Sequence, residues 1–200
     1  MPILGIVIGE RFERLLAAAQ GGTGEADGAF SVLWRDANPA LLRYVRVIAP
    51  EAAEDVAADT WVQVVRGLDA FRGDEAAWRA WLFTTARRRA VDEGRRRSRR
   101  PAVSVPELPD VAGPGSLDPA DLVLEKLGTE AAISIISSLP RFQAEVITLR
   151  VVAGLDNQAV AQLVGRSPGA VRIAAHRGLR RLEATLREAG ITRDSARVTD

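Results

Sequence analysis

The sequence predicts an all-α protein: two small helical domains joined by a flexible linker. Three observations carry this reading. Runs of strand-favouring residues are scarce while Ala, Leu, Arg and Glu abound, which favours helix. Apolar residues recur at three-to-four spacing in two blocks, residues 28–100 and 121–189. Between the blocks, residues 101–120 form an acidic stretch with five prolines (Pro101, Pro106, Pro109, Pro114 and Pro119), a composition that sustains no helix.

The chain opens on the apolar Ile3–Ile8, then Glu10–Gln20, which suits a short helix before Gly21, Gly22 and Gly24 break it. Residues 1–27 therefore read as an N-terminal extension of open role, and Val7 offers an alternative start. Ala29–Ala49 is an amphipathic helix carrying Phe30, Leu33, Trp34, Leu41, Leu42, Val45 and Ile48, with a bend expected at Pro39. Pro50 ends it, and Glu51, Glu54 and Asp55 open the next helix, where acids suit the positive helix end. Val56, Thr60, Trp61, Val64 and Leu68 form its inner face, with Gly67 as a mild interruption. Phe71–Asp74 reads as a loop, and a third helix from Glu75 carries Trp78, Trp81, Leu82 and Ala86.

The second block begins with a helix over 121–139, punctuated by Pro140. Phe142–Ala153 follows, with Gly154 as its C-cap. Asp156 caps the short helix Asn157–Val164, which Gly165 ends. Ser167–Pro168 pairs an N-cap with proline at the first helical position, a strong start signal. In the last helix Val171, Ala175, Leu179, Leu182 and Leu186 are expected to face the core. Residues 190–200 read as a loose polar tail.

Composition excludes several classes. With no cysteine, disulfides and thiolate metal sites are absent, and the single His176 cannot make a His-rich site. No glycine loop for phosphate, metal cluster or nucleophile–base pair stands out, so neither an enzyme nor a cofactor is expected. No apolar run approaches the ~20 residues of a membrane span, and there is no secretory signal. The chain is expected in the cytoplasm.

The net charge of +1 hides strong segregation. Arg72–Arg100 holds ten arginines against four acids, and Arg166–Arg187 holds six against one. Acids gather instead at Glu51, Glu54, Asp55 and Asp59. Two cationic helical units on one chain are the footprint of a polyanion partner.

A short helix, a glycine turn and a longer basic helix form a helix-turn-helix pattern, whose second helix fits the DNA major groove. Its outward face holds Arg172, Ile173, His176, Arg177 and Arg180, behind the N-terminal Arg166, Ser167, Gly169 and Ala170. Base contact is expected at the N-terminal end. Arg172 is the candidate base reader, by bidentate pairing with guanine. Arg166, Arg177, Arg180 and Arg181 are candidates for phosphate. A lone His176 is more often a surface polar residue than a base reader.

Three stretches, in this order and spacing, resemble bacterial RNA polymerase sigma factors of the extracytoplasmic-function type. Glu54–Trp61 resembles the core-polymerase-binding helix of the sigma-two domain. Phe71–Gly73 with Trp78–Arg87 and Ala90–Asp92 resembles the segment that reads the −10 promoter element. Ser138–Val146, Gly154–Leu155, Val160–Ala161 and Gly165–Arg172 resemble the sigma-four domain, which reads the −35 element.

The resemblance implies a promoter-specificity factor that joins core RNA polymerase through the β′ clamp helices and the β flap. It implies binding to double- and single-stranded promoter DNA, with an anti-sigma factor as a further partner. Core contact would fall on Glu51, Glu54, Asp55, Ala58, Asp59, Trp61 and Val62. Contact with the −10 element would fall on Phe71, Arg72, Asp74, Arg79, Arg87, Arg88, Arg95 and Arg96. Opening DNA needs phosphate attraction and surfaces that replace lost stacking. Trp78, Trp81 and Phe83 suit such platforms, although Trp78 and Trp81 also fit core spacing. The acidic linker would thread the polymerase's RNA channels. The chain departs from the family at Ala58 (usually Gln), Asp59 (Glu), Arg88 (Asn) and Ala174 (basic). The alternative reading is a conventional helix-turn-helix regulator that binds an operator without polymerase. That reading leaves the acidic helix and the tryptophan-bearing arginine helix unexplained.

Overall fold

The computed structural model describes residues 8–22, 24–99 and 125–188, and among them every regular element is helical. A first bundle comprises α1 (Phe12–Gln20), α2 (Ala26–Ile48), α3 (Ala53–Gly67) and α4 (Glu75–Arg99). A second comprises α5 (Glu125–Ser137), α6 (Arg141–Val151), α7 (Asn157–Val164) and α8 (Pro168–Glu188). The expected linker at 101–120 and the tail at 190–200 lie outside the described residues.

The first bundle takes in part of the expected N-terminal extension. Phe12, Leu16 and Ala19 recur at helical spacing and are buried, with the Phe12 ring 6.2 Å from that of Trp78. Burying a side chain the size of Phe12 or Leu16 stabilises by about 1.5–3 kcal/mol. Gln20 Nε2 donates to the carbonyls of Leu68 and Phe71 at 2.7 and 2.9 Å, tying α1 to the turn after α3. The amides of Ile8 and Gly9 donate to the Glu75 carboxylate at the start of α4.

Helix α2 starts three residues before the expected Ala29 and remains one element through the exposed Pro39. It buries Leu33, Leu41, Tyr44 and Val45 against α3 and α4. In α3 the 4–4 spacing of Val56, Thr60 and Val64 faces inward, and Thr60 folds its hydroxyl back to the Val56 carbonyl. Gly67 is more than an interruption: a β-carbon there would stand 2.9 Å from the Trp81 ring.

In the second bundle most of the punctuation expected from sequence is in place. Gly165 caps α7 in left-handed backbone (φ +67°), the region that favours glycine at helix ends, whereas α6 ends at Val151 with Val152 as its C-cap, and the left-handed Gly154 (φ +69°) turns the chain two residues later. Asp156 accepts from the Ala159 amide at 2.7 Å and Ser167 from the Ala170 amide at 3.2 Å, each capping a helix start.

The inner face of α8 differs from the expected one. Val171, Ala174 and Gly178 are buried with Leu182 packed beside them, whereas Leu179 is 52% exposed. The cause is close approach: the backbone at Gly178 lies against the Ile147 side chain of α6, and small residues are what such proximity needs. A hydropathy stripe built on large residues misses a face built on Ala and Gly.

The bundles also pack on each other. Helix α2 touches α5 and α6, and α4 touches α7. Tyr44 Oη donates to Glu145 Oε1 at 3.2 Å, and Arg87 Nε donates to the same oxygen at 2.7 Å. The two expected domains thus meet across a defined joint.

Candidate nucleic-acid and polymerase interfaces

The helix-turn-helix presents its basic face to solvent. Capping at Ser167 fixes where α8 begins, and burial of Val171, Ala174 and Gly178 turns Arg172, Ile173, His176, Arg177 and Arg180 outward. Arg172, Arg177 and Arg180 form no ion pair or hydrogen bond within the described residues, so their guanidiniums are uncommitted. Arg166 is exposed at the turn with its guanidinium 6.0 Å from the Phe142 ring centroid. Gly169 and Ala170 are half-buried in the first turn. Arg181 is engaged with Gln143 at 2.8 Å.

On α3 the candidate core-binding residues divide. Asp55, Ala58, Asp59 and Val62 share one exposed strip at the 3-4-7 spacing of a helix face. Asp55 and Asp59 have no cationic partner among the described residues, so the strip carries uncompensated negative charge. Glu54 pairs with Arg46 at 3.3 Å and Glu51 with Arg97 at 2.7 Å, both at the surface. Trp61 belongs to the interior instead: it is 8% exposed, its Nε1 donates to Asn38 Oδ1 at 2.9 Å, and Phe30 meets it edge-on. Standing two residues after Asp59 and one before Val62, it projects from a different face of α3, toward Asn38 of α2.

The candidate −10 residues divide as well. Arg88 is exposed and unpaired, and Arg95 and Arg96 are exposed with Asp92 and Glu93 as neighbours three residues back. Arg96 and Arg97 hold the Glu93 carboxyl below the usual carboxylate range, chiefly through the Arg97 hydrogen bond. In the Phe71–Asp74 loop, Asp74 accepts from the Ala77 amide, while Arg72 donates to the carbonyls of Asp69 and Phe71. Trp78 and Phe83 are fully buried, so neither is a stacking platform. Trp81 is half-buried and stacks on Phe71.

Arg79 faces inward rather than toward nucleic acid. Its guanidinium pairs with Glu75 at 2.9 Å and Asp36 at 3.1 Å, and all three side chains are largely buried. Burial raises the Asp36 carboxyl above its usual range, against the pull of Arg79 and with the push of Glu75. The signal in the sequence was the i,i+4 spacing of Glu75 and Arg79. Arg87 is committed too, to Glu145 of the second bundle.

Sequence reasoning missed Arg66 and Arg89. Both line a cleft of about 450 Å³ between α3 and α4, together with Trp81, Thr85, Arg88 and one acid, Asp92, at its edge beside Arg95. None of the three arginines has a carboxylate partner within the described residues. The cleft is a cationic recess beside an aromatic ring, suited to phosphate and an unstacked base.

Among the described residues no group of acids and histidine is arranged to hold a metal, and no helix is long and apolar enough to cross a membrane.

An exposed basic helix-turn-helix, a second arginine helix and an acidic strip on one chain define a factor that confers promoter specificity on RNA polymerase. Residues 33–100 match the family described as Sigma-70 region 2, and residues 129–182 match Sigma-70, region 4. The chain is 32% identical over 160 residues to the ECF RNA polymerase sigma factor ShbA of Streptomyces griseus, covering 74% of this chain and 82% of that protein. It is 28% identical over 188 residues to the ECF RNA polymerase sigma factor SigD of Mycobacterium tuberculosis, covering 91% and 87%. The fold is shared with CnrH, solved in complex with the cytosolic domain of CnrY (TM-score 0.59, 24% identity, 90% of this chain and 99% of that one). It is shared also with RpoE of Bartonella quintana, solved in complex with the anti-sigma factor NepR (TM-score 0.56, 24% identity, 79% and 96%). The chain belongs to the extracytoplasmic-function family of RNA polymerase sigma factors.

Proposed function

We propose that α8 reads the −35 element and that α4, the Phe71–Asp74 loop and the α3–α4 cleft hold the separated non-template strand of the −10 element. The acidic strip of α3 docks on the basic β′ clamp helices, and the second bundle rests on the β flap. The acidic stretch at 101–120 lies in the polymerase's RNA channels. The factor works by binding and strand capture in the cytoplasm, without catalysis of its own, and an anti-sigma factor restrains it.

One observation carries this assignment: the uncommitted arginines lie on α8 and at the cleft between the C-terminal part of α3 and α4, whereas the uncommitted acids lie in the N-terminal half of α3. Arg172, Arg177 and Arg180 of α8 and Arg66, Arg88 and Arg89 at the cleft lack carboxylate partners, while Asp55 and Asp59 of α3 lack cationic ones. A polyanion and a basic protein surface can therefore be held at once, which suits a chain that bridges polymerase and DNA.

The test is transcription by purified core polymerase with start-site mapping, alongside a core-binding assay. Arg172→Ala should weaken −35-dependent initiation by ~5–100-fold, the worth of one bidentate base contact, and leave core binding intact. Asp55→Arg should lower core affinity and leave DNA contacts alone. Loss of both activities in either variant, or no loss in either, refutes the division of labour.

A further inference from the structure

We infer that Ile173 is a specificity residue of α8, and that it reads the C5-methyl group of a thymine in the −35 element. The inference deepens the assignment of α8 to that element and rests on it. Ile173 is 52% exposed although it is large, branched and apolar. It belongs to neither apolar cluster of the described residues. Its neighbours one turn away along α8 are Gly169 and Ala170 before it and His176 and Arg177 after it, so no large apolar side chain of the helix shelters it. Leu179 is exposed to the same extent, but it stands between the half-buried Ala175 and Leu182 at the edge of the inner face.

Its place on the helix gives this exposure a direction. Val171, Ala174 and Gly178 are buried, and on an α-helix the line opposite them runs through Gly169, Ile173, His176 and Arg180. Arg172 and Arg177, which form no ion pair or hydrogen bond within the described residues, stand on either side of that line. A helix laid in the major groove with one guanidinium to each side brings Ile173 onto the base edges. One turn earlier, a β-carbon on Gly169 would meet nothing nearer than the Ser167 hydroxyl oxygen, at 3.9 Å, and the backbone there is not left-handed. No contact or turn in the fold calls for glycine at 169, and its lack of a side chain lets this end of α8 approach the groove closely. β-Branching leaves Ile173 one strongly preferred rotamer in a helix, so its methyl groups are presented at a fixed place. Of the four bases only thymine offers an apolar group in the major groove. The other edges are donors and acceptors that isoleucine would strip of water and leave unpaired.

The test uses holoenzyme assembled from the full chain and purified core polymerase, on a promoter found by start-site mapping. Thymines of the −35 region, on both strands, are replaced one at a time by deoxyuridine, which removes the methyl group and keeps every hydrogen-bonding atom. Affinity for each duplex is measured at one salt concentration for the parent and for Ile173→Ala, with core binding and far-UV circular dichroism in parallel. Alanine favours helix more than isoleucine does, so the variant at this exposed site keeps the fold.

The parent should lose affinity about 4-fold at one thymine, the effect of uncovering one methyl-sized group. Ile173→Ala should bind the thymine promoter more weakly by a similar factor, lose nothing further with deoxyuridine at that position, and assemble with core as the parent does. 5-Methylcytosine carries the same methyl group, so placing it there should bind the parent more tightly than placing cytosine there, and the variant should not distinguish the two. Deoxyuridine without effect at every position would overturn the contact, as would an equal deoxyuridine loss in parent and variant, or no gain from the methyl group of 5-methylcytosine in the parent. Failure of the −35 reading is visible separately, as a holoenzyme whose affinity is unchanged when the whole −35 region is scrambled.

Discussion

The indole of Trp81 lies nearly parallel to the ring of Phe71, with centroids 5.0 Å apart and planes 17° from each other. Its opposite edge abuts Gly67, so the end of α3, the loop and α4 are joined through one side chain. Trp78 meets both rings edge-on, at 5.7 Å from Phe71 and 5.6 Å from Trp81. The loop assigned to the −10 strand is thus backed by an aromatic stack.

Gly67→Ala is expected to destabilise the first bundle. The added methyl enters a space already held by the Trp81 ring, and overpacking of this kind costs about 1–3 kcal/mol. The gain from reduced freedom of the unfolded chain is smaller, about 0.4–1 kcal/mol. Urea unfolding followed by tryptophan fluorescence measures the difference, and a midpoint at or above that of the parent would contradict it.

Gly178→Ala should destabilise the second bundle by a similar mechanism, since the methyl would meet the Ile147 side chain, which is 2% exposed and has little room to yield. The expected loss is about 1–3 kcal/mol. Adding Ile147→Val should recover part of it, because the clash lies at the end of the isoleucine chain. Thermal unfolding of the single and double variants decides; no recovery would place the strain elsewhere.

Gln20→Ala removes two hydrogen bonds to the Leu68 and Phe71 carbonyls. Each net bond contributes about 0.5–1.5 kcal/mol. The effect should be local: faster hydrogen exchange at the amides of residues 71–74, with protection of the α2 core retained. Uniformly faster exchange would indicate a global role instead.

Burial of the Asp36 carboxyl makes the stability of the fold depend on pH. The folded carboxyl is raised, first by burial, so it favours folding below the unfolded value of about 3.9, and that contribution is lost as pH climbs through the raised folded value. Asp36→Asn should therefore flatten the stability profile in the window just above pH ~4. Urea midpoints of parent and variant across pH 4–7 test this; parallel profiles would remove Asp36 as the source.

The fold was legible where local rules act alone. Asp156, Ser167 and Gly165 mark helix ends by side-chain and backbone chemistry that needs no tertiary partner. The apolar stripes of α2 and α3 were legible for the same reason. What escaped was set by contact across the chain. Gly178 faces inward only because α6 is there, and Arg79 is held inside by Asp36, 43 residues away, together with Glu75. Trp61 sits beside exposed acids in sequence, but its indole is taken by Asn38. Arg87 reads as a solvent-facing cation until Glu145 arrives from 58 positions further on. Arg66 and Arg89 were hidden because a cleft belongs to two helices and to neither sequence segment.

Gln20 supports the Phe71–Asp74 loop, proposed above to face the promoter, from behind. Drift at that hidden buttress can re-aim the loop while every outward residue stays the same. Two paralogues with matching arginines would then choose different genes, and a regulon inferred from their visible faces would be the wrong one.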